Sequence, residues 1–274
     1  MKKVLKILAL ILAVVLLCVV GWFANAFLGN PVSKALAVST ANKYMAAQYG
    51  DTDYYIEGVG YSFKTMGYYA HVRSPSSIDT QFVLYLDMLG NLERDTYESV
   101  LGGSITARRI ESEYRTYTDR VFDSPEFPYS TDIAYGTLEI WAREALGDPL
   151  AASEVPEYAM FYDELVLDRI YDPGELGARA GHLVVYVDSD TVTVEYAAEI
   201  LLTLRAEFDR AGVAFRAVDL TLHHPLPEEG PRDDTYVGVK DFAYDDIVPE
   251  GIIERVAAAD VALKAYYAEM DKMK

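Results

Sequence analysis

Ile7 to Ala24 reads ILALILAVVLLCVVGWFA, eighteen positions without a charge, and Lys2, Lys3 and Lys6 precede it. At 1.5 Å of rise per helical residue the run reaches about 27 Å, and Phe27 and Leu28 carry it towards the roughly 30 Å of a bilayer core. One membrane span is therefore expected at 1–29, with Trp22 and Phe23 as interfacial rings. Lysines on the short N-terminal side stay cytoplasmic by the positive-inside rule, which places the chain after Asn30 outside. Ala24-Asn25-Ala26 also has the small-x-small pattern that a signal peptidase accepts. The apolar run exceeds the roughly 7 to 15 residues of a cleaved leader, so an uncleaved anchor is the expectation. Cys18 follows Leu17 and sits mid-span, which does not suit a lipoprotein signal.

Beyond the span, the pattern predicts an α+β chain in two modules. Asn30-Pro31 starts a helix, Ala37, Ala41, Tyr44, Met45 and Tyr49 share its face, and Gly50 ends it. Three alternating runs follow: Tyr55 to Phe63, Tyr68 to Arg73, and Gln81 to Leu86. Short turns between them predict a three-stranded antiparallel meander with the helix on one face. A helix over Ile105 to Val121, striped by Ile110, Tyr114 and Val121, closes this module at 30–125, and Ser124-Pro125 and Phe127-Pro128 read as a linker.

The second module, 126–274, should combine a mixed sheet with packing helices. Strands are expected at Ile133 to Trp141, at Leu165 to Tyr171 (or there a helix continued from Glu157), at Leu183 to Val187, at Val213 to Leu222 and at Tyr236 to Tyr244. The continuous apolar run at 183–187 suggests a strand buried on both faces. A helix carries Ala197, Ile200, Leu201, Leu204, Phe208 and Ala211 on one face and stops at Gly212. After the loop PLPEEGPRDD, the last helix repeats Ile252, Val256, Ala259, Leu263, Tyr266 and Met270 at core spacing. No period of about 20 to 50 residues recurs, which excludes a solenoid.

Charge narrows the partners. With the three leading lysines set aside, 21 basic residues face 43 acidic ones, a net charge of −22 on the outer part. Such a body does not bind nucleic acid, which requires phosphates to be neutralised by Lys or Arg, and as a whole it repels anionic lipid. Cationic, neutral or divalent-bridged partners fit, and the charge also keeps the body soluble. The only cysteine lies in the span, so the outer part has neither disulfides nor thiol chemistry. Its 22 tyrosines suit pleated, half-buried surfaces.

Candidate chemistry is sparse. Asp188-Ser189-Asp190 follows a buried strand and precedes a helix, where two carboxylates from one turn can hold a divalent metal. The same residues, with Glu195, also suit a helix N-terminus capped by Thr193 or Asp190. His71 lies on a polar strand face, His223 and His224 point to opposite sides of a strand, and His182 completes the set of four. Neither a His-Glu-x-x-His nor a Gly-x-Ser-x-Gly motif occurs, and no cofactor is expected. Paired carboxylates of a glycosidase would be recognised only by geometry.

Asn30-Pro31-Val32-Ser33, DTDYYIEGVGYSFK at Asp51–Lys64, YYAHVRSPSSIDTQFVLYLDMLG at Tyr68–Gly90 and YDPGELGARAGHLVVYV at Tyr171–Val187 resemble the YfjL-like proteins of Gram-positive bacteria. The resemblance implies a single span with an outward domain, and it provides no catalytic residue. One helix followed by three strands also looks like the PepSY-type extracytoplasmic modules, which act in inhibition or interaction. The expected function is accordingly a non-enzymatic binding or regulatory module of the cell envelope, contacting a protein or wall polymer. A wall-directed hydrolase or sugar-processing enzyme using paired carboxylates is the alternative.

Overall fold

The computed structural model describes residues 2–225 and 234–272, so most of the loop after Pro225 lies outside the described residues. The chain is α+β and forms two compact units, Met1–Ile105 and Thr106–Lys274.

In the first unit, α1 (Lys2–Leu28) contains the expected apolar stretch. Its window Lys6–Phe23 has a mean hydropathy of 2.7, and none of that window is buried. It is the one described helix long and apolar enough to cross a membrane. Gly29, in the left-handed region at φ 67°, separates it from α2 (Pro31–Gln48). Asn30 caps α2 by accepting from the Ser33 amide at 2.8 Å. The Tyr68 hydroxyl holds this joint from the sheet, donating to the Asn30 carbonyl at 2.9 Å and accepting from its amide at 3.0 Å.

The sheet runs β1 (Tyr55–Ser62), β2 (Gly67–Arg73), β3 (Gln81–Leu86), β4 (Leu92–Asp95) in spatial order, antiparallel throughout. Ala37 and Ala41 of α2 are fully buried and let the helix approach Ala70, Val72, Phe82, Leu84 and Leu86. The meander thus has four strands rather than three. β4 reads LERD, an edge strand of charged residues with no apolar alternation to announce it. A short α3 (Glu98–Leu101) follows.

The helix α4 (Ser104–Phe122), expected to close the first module, instead places Ile110, Tyr114, Val121 and Phe122 in the core of the second unit. There it joins β5 (Thr131–Leu138), β6 (Ile140–Trp141), α5 (Pro149–Glu154), β7 (Met160–Phe161), α6 (Pro173–Ala180), β8 (Gly181–Asp188), α7 (Val194–Ala211), β9 (Ala217–His223), β10 (Tyr236–Ala243) and α8 (Ile252–Lys272). The main sheet is mixed, in order β10-β9-β8-β5, with β8 parallel to β9 and the outer pairs antiparallel; β6 and β7 form a separate parallel pair.

Leu183, Val185 and Val187 of β8, with Val218, Leu220 and Leu222 of β9, pack into one core with Ile200, Leu201, Leu204 and Phe208 of α7. The other parity of β8 runs from buried His182 through half-buried Val184 to exposed Tyr186 and half-buried Asp188. This strand is therefore apolar on one face only, not on both. Leu165 to Tyr171 is neither strand nor helix. Asp168 adopts φ 61° there, and the Tyr171 hydroxyl caps the Val166 amide at 2.8 Å. In α8 the stripe enters the core at Ile252 and Val256 but emerges at Tyr266 and Met270. The Tyr266 hydroxyl donates to Glu154.

Gly177 of α6 lies so close to the chain at Ala214 that an added Cβ would meet its carbonyl oxygen at 2.1 Å. Alanine gains roughly 1 kcal/mol in helix propensity. Overpacking against an immovable backbone costs about 1 to 3 kcal/mol. Gly177→Ala is expected to lower the melting temperature of the second unit, and a raised one in calorimetry would contradict this contact.

Candidate functional site

The face of the second sheet that turns away from its apolar core carries two polar clusters and a groove. At one end, His182 sits with its side chain 7% exposed between carboxylates from three directions. Its Nδ1 lies 2.8 Å from Glu139 Oε1, and its Nε2 is 2.9 Å from Asp219 Oδ1, a close ion pair rather than an aligned hydrogen bond. Tyr158 donates to Asp241 Oδ1 at 2.8 Å, with its oxygen 3.1 Å from Nδ1. The Asp241 amide donates to Asp219 Oδ1 at 2.7 Å, and Trp141 Nε1 to Glu139 Oε2 at 2.7 Å. Local backbone explains the convergence. Asp241 occupies a register shift of β10 at φ 50°, and Glu139 is fixed between the Ala180 carbonyl and the Met160 amide.

Burial by itself would push the His182 imidazole down, but the Asp219 and Glu139 carboxylates overcome it and raise the group to about 10. Tyr158 is pushed up by burial and by its bond to Asp241. At neutral pH His182 is thus a held imidazolium, unsuited to accept a proton as a general base. His182, Asp219 and Asp241 could hold a metal ion, since their ligand atoms lie within 4.8 Å of one another; the ion would have to displace the imidazolium proton.

At the other end of the same face, Asp188 Oδ1 is 3.2 Å from His223 Nδ1, and Asp132 completes a second group whose ligand atoms lie within 4.8 Å. Of the predicted metal pair, Asp188 belongs to this group. Asp190 is exposed in the following bend and is not among its members. The helix after it is capped by Thr193, which accepts from the Tyr196 amide, with Glu195 in the first turn. His224 turns to the Ser189 carbonyl, apart from His223. A groove of about 530 Å³ adjoins this end, walled by Tyr186, Thr221, His223, Tyr236, Leu263 and Tyr267.

In the first unit most tyrosines are engaged. Tyr44 and Tyr49 both donate to Asp95 Oδ2, at 3.0 and 2.6 Å, and the Tyr54 and Tyr97 hydroxyls lie 3.0 Å apart. Burial and then Asp95 push Tyr49 up. The rings of Tyr49, Tyr54 and Tyr97 pack with Phe82 at centroid distances of 5.1 to 5.9 Å and so complete the core.

The two units coincide with two family descriptions: the YfjL-like N-terminal domain matches residues 3–95, and the YfjL-like C-terminal domain matches residues 113–257. The chain belongs to the YfjL-like family. Comparison with curated proteins and with solved structures returns no match.

In this YfjL-like protein, sequence reasoning missed Glu139, Tyr158, Asp219 and Asp241 and left His182 without a role. One signal was available: His182 and Asp219 interrupt apolar strands at the parity opposite to Leu183 and Val218. Glu139, Tyr158 and Asp241 come from bends and bulges, which leave no periodic trace.

The clamp makes stability depend on pH. Between about 6.5, the unfolded value, and about 10 the folded chain keeps a proton that the unfolded chain has released. The stabilisation is complete below that window and is lost as pH rises through it. His182→Ala should cost about 2 to 4 kcal/mol at pH 6, towards the low side because Asp219 and Asp241 still touch water. The deficit should shrink towards pH 10. Urea unfolding followed by Trp141 fluorescence in a Trp22→Phe background checks this, and a pH-independent deficit would contradict it.

Proposed function

We propose that this protein is anchored in a membrane by α1, with its N-terminus in the cytoplasm and both units outside, and that it acts there as a non-enzymatic binding module of the cell envelope. The observation that carries the reading is the exposure of α1. Ile7, Leu10, Leu16, Leu17 and Val20 are 56 to 72% exposed, apolar surface that the described residues leave uncovered and that hydrocarbon would cover. Lys2, Lys3 and Lys6 before the span support this orientation.

The groove of the second unit is the candidate recognition surface. Tyr186, Tyr236 and Tyr267 offer flat apolar faces with hydroxyl rims, a chemistry suited to the sugar rings of a neutral wall polymer. The hydrolase alternative needs two carboxyl groups facing each other across a cleft. Glu139 and Asp219 instead face the His182 imidazolium, which supports the binding reading.

Two measurements test it. Protease added to intact cells should digest both units, and protection until lysis would overturn the orientation. The full chain in detergent should co-sediment with isolated cell wall, and the Tyr186→Ala/Tyr267→Ala variant should lose most of that binding. Equal pelleting with and without wall would overturn the wall-polymer partner.

A further inference from the structure

The end of the first unit's sheet nearest α1 differs from the rest of this acidic chain. Tyr61 pairs with Tyr68, Tyr68 with Leu86, and Leu86 with Leu92, so the β1–β2 turn and the β3–β4 turn leave the sheet at the same end. Tyr68 at that end holds Asn30, the residue that joins α1 to α2. Phe63 and Met66 in the first turn are each 55% exposed, and Leu89 in the second is 74% exposed. The first turn of α2 adds Val32 at 71% and Leu36 at 47%, with Gly90 packed directly against Leu36. Five large apolar side chains thus stand in water around one end of the sheet, where a soluble domain would normally bury or replace them.

Two further observations say what covers them. The Phe63 ring lies 6.1 Å from Phe27 on the last turn of α1, which continues a series of rings through Phe23 to Trp22 at spacings of 6.4 and 5.1 Å. The apolar surface of the span therefore runs without interruption onto the turn. Charge is sorted in the same direction. Lys34, Lys64 and Arg94 are exposed at this end; of its two acids, Asp87 is drawn inward to the Leu89 and Asn91 amides and Glu93 is exposed at the register shift of β4. Asp51, Asp53 and Glu57 gather at the opposite end, one α2 length away, about 27 Å.

We infer that the two turns and the first turn of α2 form a second membrane contact, a wedge that inserts Phe63, Met66 and Leu89 at the headgroup and acyl boundary beside α1, with Lys34 and Lys64 at the phosphates of anionic lipid. Short exposed apolar side chains flanked by lysine are suited to that depth. The net charge of −22 repels such a surface only as an average; this end is locally basic. The wedge rests on the anchor reading, so the experiment reads the two separately.

The full chain, with Cys18→Ser and one spin label per variant at Val15→Cys, Met66→Cys, Leu89→Cys or Asp51→Cys, is reconstituted into vesicles of phosphatidylcholine with phosphatidylglycerol. Collision with oxygen is compared with collision with a water-soluble nickel chelate. Labels at 15, 66 and 89 should favour oxygen several-fold over the label at 51, with 66 and 89 shallower than 15. Reversing Lys34 and Lys64 to Glu should raise nickel access at 66 and 89 and leave 15 unchanged. Labels at 66 and 89 that match 51 while 15 remains in lipid would overturn the wedge and leave the anchor standing. A label at 15 that is open to nickel would overturn both.

Discussion

Placing His182 inside the second unit removes its ring from water, and the cost is offset only because Glu139 and Asp219 arrive from different parts of the chain to hold its charge. β8 contributes the ring, β9 one carboxylate, the segment after β5 the other, and the bulge of β10 a supporting one. A single buried proton therefore ties together three neighbouring strands and the 139–160 connection. The apolar core on the opposite face supplies most of the burial, but it would tolerate many small shifts in register. The clamp does not, since two of its carboxylates reach His182 only where the register places Asp219 and Asp241.

The elements with strong periodicity were legible: α2, β1 to β3, α7, β9, β10 and the N-terminal half of α8 lie where apolar spacing placed them. What failed shares one cause, that local pattern does not report tertiary partners. The stripe of α4 is real, yet nothing in Ile110, Tyr114 or Val121 states which core receives it; the Tyr114 hydroxyl reaches the Ala214 carbonyl, 100 positions away. The charged strand β4 has no apolar alternation to display. The run at Leu183 to Val187 looked buried on both sides because Val184 and Tyr186 are hydrophobic by type, although they look outward into the groove side of the sheet.

The candidate site was legible only in fragments. Asp188 was singled out for the turn it occupies, and the structure gives it a different companion, His223, from the far end of β9 rather than Asp190 two positions on. Parallel pairing of β8 and β9 brings these two strand ends together. Tyrosine abundance likewise divides by unit. In the first unit the hydroxyls of Tyr44, Tyr49, Tyr54 and Tyr97 are spent on Asp95 and on each other, and in the second Tyr186, Tyr236 and Tyr267 remain on an open wall.

The bond pair between Tyr68 and Asn30 has a mechanical meaning. A residue gripped at both its N–H and its C=O by one phenol has the two peptide planes that flank its Cα held together, and the left-handed Gly29 before it fixes the direction in which the chain leaves the helix. The joint between α1 and the β-sheet is a stiff elbow rather than a tether. Any tilt of α1 is delivered to the sheet as torque.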